Sequence, residues 1–169
     1  DAGLQIDTNV AMAQRTTYGV GGSAAVVVVV HSESDAVALS RAVAQCQVDN
    51  IVVIGRGSNV LVSDEGFGGV VVLLGAVSPD SAVGVEGDVV QAGGSVLMPV
   101  LASRSVGAGR GGLEWCVGSP GTVGGAVRMN AGGHGAEMVE CAMPTSNPSR
   151  SRVDQGILSS CSSRLPIDR

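Results

Sequence analysis

A glycine-rich stretch, residues 118–135, has the residue pattern in this sequence that is best suited to hold a ligand. Seven of its eighteen residues are glycine. Pro120 and Gly121 predict a turn, because proline fixes φ and glycine can adopt positive φ. Thr122 follows in the position of a helix N-cap, and residues 123–129 can form a short helix behind it.

The two glycines at the start of this predicted helix allow two interpretations. Gly124 and Gly125 have no Cβ, so either another backbone or a phosphate could lie against them. Unpaired amides and a partial positive charge make a helix N-terminus attractive to anions. We interpret the stretch as an anion cradle, and a tight turn between packed elements is the alternative.

A second glycine-rich loop, residues 55–59, follows an apolar run at 51–54. The dinucleotide fingerprint G-x-G-x-x-G would need glycine at position 60, where the chain has Val60, and residues 60–63 are β-prone and not helical. We therefore expect a loop between two strands that could form a backbone nest for phosphate, with donors from Ser58 and Asn59 and with Arg56 nearby. A simple turn is the alternative.

The elements before residue 79 read as a βαβ unit. The β-branched run 24–30 predicts a strand buried on both faces, as in a parallel sheet, and 51–54 and 70–74 predict two more strands. Between the first two, residues 32–35 resemble a capping box, and Leu39, Val43 and Cys46 share one helical face. This segment is the predicted first lobe, residues 1–78.

Beyond Pro79 the pattern predicts a second, α+β lobe at residues 79–143. It has a hairpin turning at Gly87 and Asp88, a helix capped by Ser95 and running to residue 106, and a strand at 137–142. Residues 144–169 show little hydrophobic periodicity, and we expect a poorly ordered tail there.

Composition excludes several classes of function. The net charge is -5, and all ten basic residues are arginine, so a basic face for nucleic acid is not expected. No apolar run is long enough to span a bilayer, and we expect neither membrane binding nor a signal peptide. The four cysteines are widely spaced, which favours reduced thiols in a cytoplasmic protein and no metal site.

Three segments appear together in the order typical of one family: residues 16–22, 54–64 and 112–135. With them the chain resembles the FAD-binding part of the UDP-N-acetylenolpyruvoylglucosamine reductases, also called UDP-N-acetylmuramate dehydrogenases. The resemblance covers about residues 16–139. It implies an α+β, FAD-binding fold of the vanillyl-alcohol-oxidase (PCMH) type, with non-covalent FAD between two α+β lobes.

The resemblance also implies a set of roles. The loop 55–59 would hold the FAD diphosphate, 118–125 the diphosphate and the flavin side, and 130–133 would lie near the isoalloxazine. The implied cofactor-binding residues are Gly55, Arg56, Gly57, Ser58, Asn59, Gly118, Ser119, Pro120, Gly121, Thr122, Val123, Gly124, Gly125, Asn130, Ala131 and Gly132. In such enzymes NADPH reduces the flavin, which passes hydride to the enolpyruvyl group of a UDP-sugar and yields UDP-N-acetylmuramate, a peptidoglycan precursor. A monomer is expected.

The chain departs from the family pattern at its end. The family continues into a tyrosine-arginine-x-serine motif and a substrate domain, and nothing after residue 146 matches either, so the sequence assigns no catalytic serine, arginine or glutamate. We expect a truncated chain that is inactive alone. The alternatives are a non-catalytic flavin-binding module and an FAD-dependent oxidase of another alcohol or sugar. His134 is interpreted as a loop residue, Glu114 as a support for the loop, and Arg128 as either a phosphate ligand or a surface group.

Overall fold

The structure, a computed structural model, describes residues 3–75, residues 83–142 and the backbone of residues 163–166. The described residues fall into two compact units, 3–75 and 83–142 with 163–166. The border predicted at Pro79 and most of the tail predicted from residue 144 lie outside the described residues.

A four-stranded mixed sheet forms the first unit. Its strands are β1 (Gln5–Ala11), β2 (Ser23–Val30), β3 (Ile51–Ile54) and β4 (Phe67–Leu74), in the order β1-β2-β4-β3. β2, β4 and β3 are parallel, whereas β1 is antiparallel to β2. The parallel strands therefore end at one edge of the sheet, where ligands bind in open α/β sheets.

Helix α1 (Glu33–Cys46) connects β2 to β3 and packs on one face of this sheet. It begins with the predicted capping box: Ser32 Oγ accepts from the Asp35 amide, and the Asp35 carboxylate accepts from the Ser32 amide. Leu39 is the buried residue of the helix. The opposite face of the sheet is covered by a second cluster that includes Met12, from the 3₁₀ helix Met12–Arg15.

Two features of the first unit differ from the sequence prediction. β1 was not predicted, because its residues are mostly exposed and polar ones interrupt its apolar pattern. Residues 60–63 form no strand and continue a loop that lasts to residue 66. Val60 and Val62 still pack against the second core cluster, so their apolar character reflects burial of loop side chains rather than strand pairing.

The second unit combines small sheets with short helices. Strands β5 (Val83–Glu86) and β6 (Val89–Ala92) form the predicted hairpin, and β6 also pairs with β9 (Ser163–Pro166). Helix α2 (Met98–Gly107), the 3₁₀ helix Glu114–Gly118 and helix α3 (Val123–Met129) follow the hairpin. A two-residue pair, β7 (Gly132–Gly133) and β8 (Ala136–Glu137), then leads into α4 (Met138–Cys141). One buried cluster joins these elements, and its almost fully buried members include Leu101, Leu113, Val123 and Met138.

Three predictions for the second unit are wrong. Ser95 does not cap α2, because it lies in a turn closed by the bond from the Val96 amide to the Gly93 carbonyl; the helix begins after Leu97 instead. The strand predicted at 137–142 is mainly α4, stabilised by a Glu137–Glu140 capping box. Ser163–Pro166 is strand β9, so the expectation of a poorly ordered tail fails for those four residues.

Candidate functional site

A cavity of about 460 Å³ opens in the first unit at the carboxyl ends of its parallel strands. Apolar residues from the strand ends, polar residues that follow the first 3₁₀ helix, and two arginines share its wall. The lining residues are Gln14, Arg15, Thr16, Thr17, Val29, Gly55, Arg56, Leu73, Leu74 and Gly75. The cavity therefore includes the first two residues of the predicted phosphate loop, residues 55–59.

Close backbone packing fixes the position of that loop. Gly57 has φ of +66°, and a Cβ at this residue would overlap the Arg15 carbonyl oxygen and approach the Thr16 Cα to 3.0 Å. The Gly57 carbonyl also accepts from the Thr17 amide at 3.0 Å. Only glycine combines a positive φ with the absence of a Cβ at this close contact, so Gly57 allows the loop to pack against the segment 15–17.

Several hydrogen-bond donors of this loop and of the neighbouring segment 15–17 find no acceptor in the described residues. Within the described ranges, no carbonyl accepts from the backbone amides of Arg56, Gly57 or Asn59. The hydroxyl oxygen of Thr16 is buried and has no hydrogen-bond partner in that part of the chain. Gly57 and the Thr16 hydroxyl are buried, and buried polar groups are almost always paired, so these two donors indicate a place where a ligand supplies acceptors. The amides of Arg56 and Asn59 are on exposed residues and are open to solvent or to a ligand.

Glycines of the 16–22 segment pack against residues 62–64, in the later part of the loop that lasts to residue 66. The Gly22 amide donates to the Ser63 carbonyl at 2.8 Å, and a Cβ on Gly22 would overlap the Asp64 carbonyl oxygen. Gly21, with φ of +106°, lies equally close to Val62. Of the three segments that carry the family resemblance, 16–22 and 54–64 therefore pack against each other in the first unit.

The start of α3 in the second unit is not the free anion cradle that the sequence suggested. The Val123 amide donates to the Val96 carbonyl at 2.8 Å, and the Gly124 amide to the Gly94 carbonyl at 2.9 Å. The Gly125 amide donates to Thr122 Oγ1 at 3.3 Å, as predicted for this N-cap. Of the two alternatives, another backbone, at Gly94, occupies the space beside Gly124, whereas Gly125 lies against the side chain of Thr122.

The loop before α3 keeps donor capacity. Gly121 has φ of +140° and is half-buried, and its carbonyl accepts from the Met98 amide at 3.1 Å. In the described residues, no carbonyl accepts from the Gly121 amide itself. Within 118–125, therefore, the loop residues remain more suitable for a ligand than the three helix-start amides.

The residues after α3 hold a compact turn. Asn130 ends the helix in the left-handed conformation, with φ of +47°. Its side-chain amide donates to the Glu137 carboxylate at 2.9 Å, and its Oδ1 accepts from the Val139 amide at 2.9 Å. The Ala131 carbonyl accepts from Met138, and Gly132 pairs with Glu137. Both polar groups of Asn130 are thus engaged within the chain.

Other singled-out side chains have mainly structural positions. Glu114 accepts from the Gly112 amide at 2.7 Å and supports the loop, as interpreted from the sequence. Arg128 is exposed on α3, and His134 is exposed with φ of +54° in the β7–β8 turn. Burial raises the pKa of the Cys116 thiol to about 12, so this cysteine is an unreactive core residue.

Two further observations concern metals and membranes. The described residues contain no group of three or more histidine, cysteine, aspartate or glutamate side chains that could hold a metal ion. None of their helices combines the length and apolarity that crossing a membrane requires.

Comparison with known proteins identifies the family. The model of the FAD binding domain family matches residues 24–142. The chain belongs to this family. It is 45% identical over 132 residues to the UDP-N-acetylenolpyruvoylglucosamine reductase of Bacillus subtilis, covering 78% of this chain and 43% of that protein. It is 39% identical over 130 residues to the protein of the same name from Carboxydothermus hydrogenoformans, covering 77% and 42% of the two chains.

A solved structure agrees with these relatives. The crystal structure of UDP-N-acetylenolpyruvylglucosamine reductase (MurB) from Thermus caldophilus superposes with a TM-score of 0.62 at 28% identity, over 98% of this chain and 61% of that one. The resemblance to this reductase family and the α+β, FAD-binding fold of the PCMH type are thereby confirmed. The chain spans 42 to 43% of the length of the two curated relatives named here.

Sequence reasoning missed part of the cavity wall. Gln14 and Arg15 come from a 3₁₀ helix that has no periodic signal, and Leu73 to Gly75 were predicted only as a strand end and the residue after it. Thr16 belonged to a recognised segment, but its composition did not indicate that its hydroxyl would be buried without a partner in the described residues.

Proposed function

We propose that this chain binds FAD non-covalently and that the loop of residues 55–59 holds the FAD diphosphate. The observation that carries the proposal is the set of backbone amides at Arg56, Gly57 and Asn59 that find no carbonyl acceptor in the described residues. Successive backbone amides of one loop can form an anion nest, and the absence of a side chain on Gly55 lets a diphosphate approach the backbone, whereas the space beside Gly57 is occupied by residues 15 and 16. Arg56, exposed at the rim, adds positive charge.

In the second unit the proposed contacts are loop residues before α3 and backbone groups after it. Gly118 to Thr122 would contact the diphosphate and the flavin side, with the Gly121 amide as a donor that no carbonyl of the described residues engages. Val123, Gly124 and Gly125 would contribute contact surface, because their amides are engaged within the chain. Asn130 would fix the backbone of Ala131 and Gly132 near the ring system, since both of its side-chain groups hold the turn.

For the whole protein we propose the activity named in its relatives, reduction of UDP-N-acetylenolpyruvoylglucosamine. Bound FAD would supply hydride transfer, with NADPH as the reductant, and the residues of this chain would bind and orient the cofactor. We further propose that the protein is a cytoplasmic monomer whose UDP-sugar substrate serves peptidoglycan synthesis. This chain, which spans about two fifths of the length of these relatives, is proposed to bind FAD without turning over substrate.

A visible absorption spectrum of the purified chain, before and after addition of FAD and gel filtration, tests the binding proposal. A flavin band that elutes with the protein, and FAD released intact on denaturation, are the expected results. A folded, colourless protein that retains no FAD would overturn the proposal, and circular dichroism identifies whether the sample is folded.

Two activity measurements separate the proposed reaction from its alternatives. NADPH oxidation that depends on UDP-N-acetylenolpyruvoylglucosamine, measured on a chain extended to the length of the relatives, would support the reductase assignment. Flavin reoxidation by oxygen with an alcohol or sugar substrate and no use of NADPH would indicate an oxidase instead. Flavin that no reductant and substrate can cycle would indicate a non-catalytic binding module.

A further inference from the structure

The segment Arg15–Thr16 lies outside the part of the chain that matches the FAD binding domain family, residues 24–142. It nevertheless forms part of the wall of the cavity at the carboxyl ends of the parallel strands. We infer that Arg15 and Thr16 are ligand-contacting residues that bind the diphosphate of the nucleotide held by the 55–59 loop. This inference rests on the proposed function and adds two residues to it.

The backbone holds this segment against the loop. Arg15 is the last residue of the 3₁₀ helix Met12–Arg15, whose first residue, Met12, is fully buried. The Met12 amide donates to the Gly22 carbonyl at 3.1 Å. The Thr17 amide donates to the Gly57 carbonyl at 3.0 Å, and Gly57 leaves no room for a side chain between the two segments. Arg15 and Thr16 are therefore positioned by packing and not by chance exposure.

Thr16 presents the clearest local signal. Its hydroxyl oxygen is buried without a hydrogen-bond partner in the described residues, although most buried hydroxyls have one. A phosphate oxygen beside the loop amides would accept from this hydroxyl and remove the desolvation penalty. In the absence of such a ligand, the hydroxyl weakens the fold.

Charge and shape point to a nucleoside diphosphate. Arg15 and Arg56 line one cavity in a chain whose net charge is -5, and neither pairs with a carboxylate in the described part of the chain. Val29, Leu73 and Leu74 supply apolar wall in the same cavity. Two cations beside an apolar surface suit the diphosphate and the nucleoside of FAD.

Titration of FAD and of riboflavin, which has no phosphate, into four variants tests the inference. Arg15→Gln is expected to weaken FAD binding roughly tenfold and to reduce its salt dependence, since one charge-assisted contact is lost. Thr16→Val is expected to weaken FAD binding roughly fivefold, with Thr16→Ser restoring it. Arg41→Gln, an equal change of charge on the exposed face of α1, is the matched control and should leave the FAD affinity unchanged.

The stability of the ligand-free protein provides a second readout. Because Thr16→Val removes a buried hydroxyl that has no partner in the described residues, its unfolding midpoint without ligand should equal or exceed that of the wild type. A Thr16 with a merely structural role would instead lower this midpoint when substituted. Loss of stability together with unchanged FAD affinity would overturn the role of Thr16.

Free nucleotides separate this inference from the proposed function. ADP should bind in the cavity, and Arg15→Gln should weaken ADP binding by the same factor as it weakens FAD binding. The effect on ADP is expected whether or not the purified protein retains FAD. If FAD binds while ADP does not, and Arg15→Gln and Thr16→Val behave as wild type, the inference is overturned and FAD binding stands. Binding of UDP without ADP would also overturn it, because the cavity would then serve a uridine nucleotide.

Discussion

Replacing Gly57 with alanine tests the loop packing that underlies the candidate site. The residue has φ of +66°, a conformation that costs an L side chain about 1 to 2 kcal/mol. Its new Cβ would also overlap the Arg15 carbonyl oxygen and lie 3.0 Å from the Thr16 Cα. Overpacking of this kind costs about 1 to 3 kcal/mol, so the expected loss of unfolding free energy is about 2 to 5 kcal/mol.

Gly19 supplies a control with nearly the same backbone angle. Its φ is +67°, and a Cβ there would meet no atom of the described residues within 4 Å. Gly19→Ala should therefore lose only the conformational part, about 1 to 2 kcal/mol. The difference between the two variants isolates the close approach of residues 15 and 16 to the loop.

Urea unfolding followed by far-ultraviolet circular dichroism gives the unfolding free energies. Native-state hydrogen exchange of β2 and β4 amides reports the first unit by itself. Surface substitutions typically change the unfolding free energy by no more than about 0.5 kcal/mol. If the losses of unfolding free energy in Gly57→Ala and Gly19→Ala differ by less than this, the close packing of the loop on Arg15 and Thr16 is refuted.

Three further predictions concern single side chains. Asn130→Ala should lower the unfolding free energy in urea denaturation by roughly 2 to 4 kcal/mol, because two hydrogen bonds are lost and alanine must adopt the left-handed conformation. Asn130→Gly loses the same hydrogen bonds but adopts this conformation without strain, so it should lower the unfolding free energy less, and equal losses in the two variants would contradict the prediction. The amides of His31 and Ser32, with the Ser32 hydroxyl, hold the pKa of the Asp35 carboxyl below its usual range. The difference in unfolding free energy between the wild type and Asp35→Ala should therefore be largest near neutral pH and should decrease as pH falls below about 4. A difference in urea unfolding that does not change with pH would contradict this prediction. Iodoacetamide at pH 8 should label exposed Cys46 in the native protein and Cys116 only after unfolding, as mapped by mass spectrometry, because burial raises the pKa of Cys116 to about 12. The same shift makes stability decrease once pH rises above the ordinary thiol pKa of about 8.5, and native labelling of Cys116 would refute its burial.

Local patterns predicted several elements correctly because their causes are local. The capping box at Ser32 and Asp35, the hairpin turning at Gly87 and Asp88, and the N-cap at Thr122 depend on residues within a few positions of one another. Hydrophobic periodicity likewise located β2 and α1. The order of the glycine-rich segments was also enough to identify the family.

Strand order and helix boundaries depended on distant parts of the chain. No local pattern indicates that β4 inserts between β2 and β3, since pairing of parallel strands is decided by packing across the whole sheet. Residues 137–142 have a strand-like composition, yet Met138 is buried in the core and a capping box turns the segment into α4.

The glycines show most clearly which properties the sequence determined and which the tertiary structure decided. By itself, the sequence determined that the segments 55–59 and 118–125 allow close approach to the backbone, because glycine lacks a Cβ wherever it stands. Only the tertiary structure decided what approaches: the Gly94 loop at Gly124, and Arg15 and Thr16 at Gly57. Those partners lie 30 to 42 positions away, and no local pattern encodes which amides remain without an acceptor in the described residues.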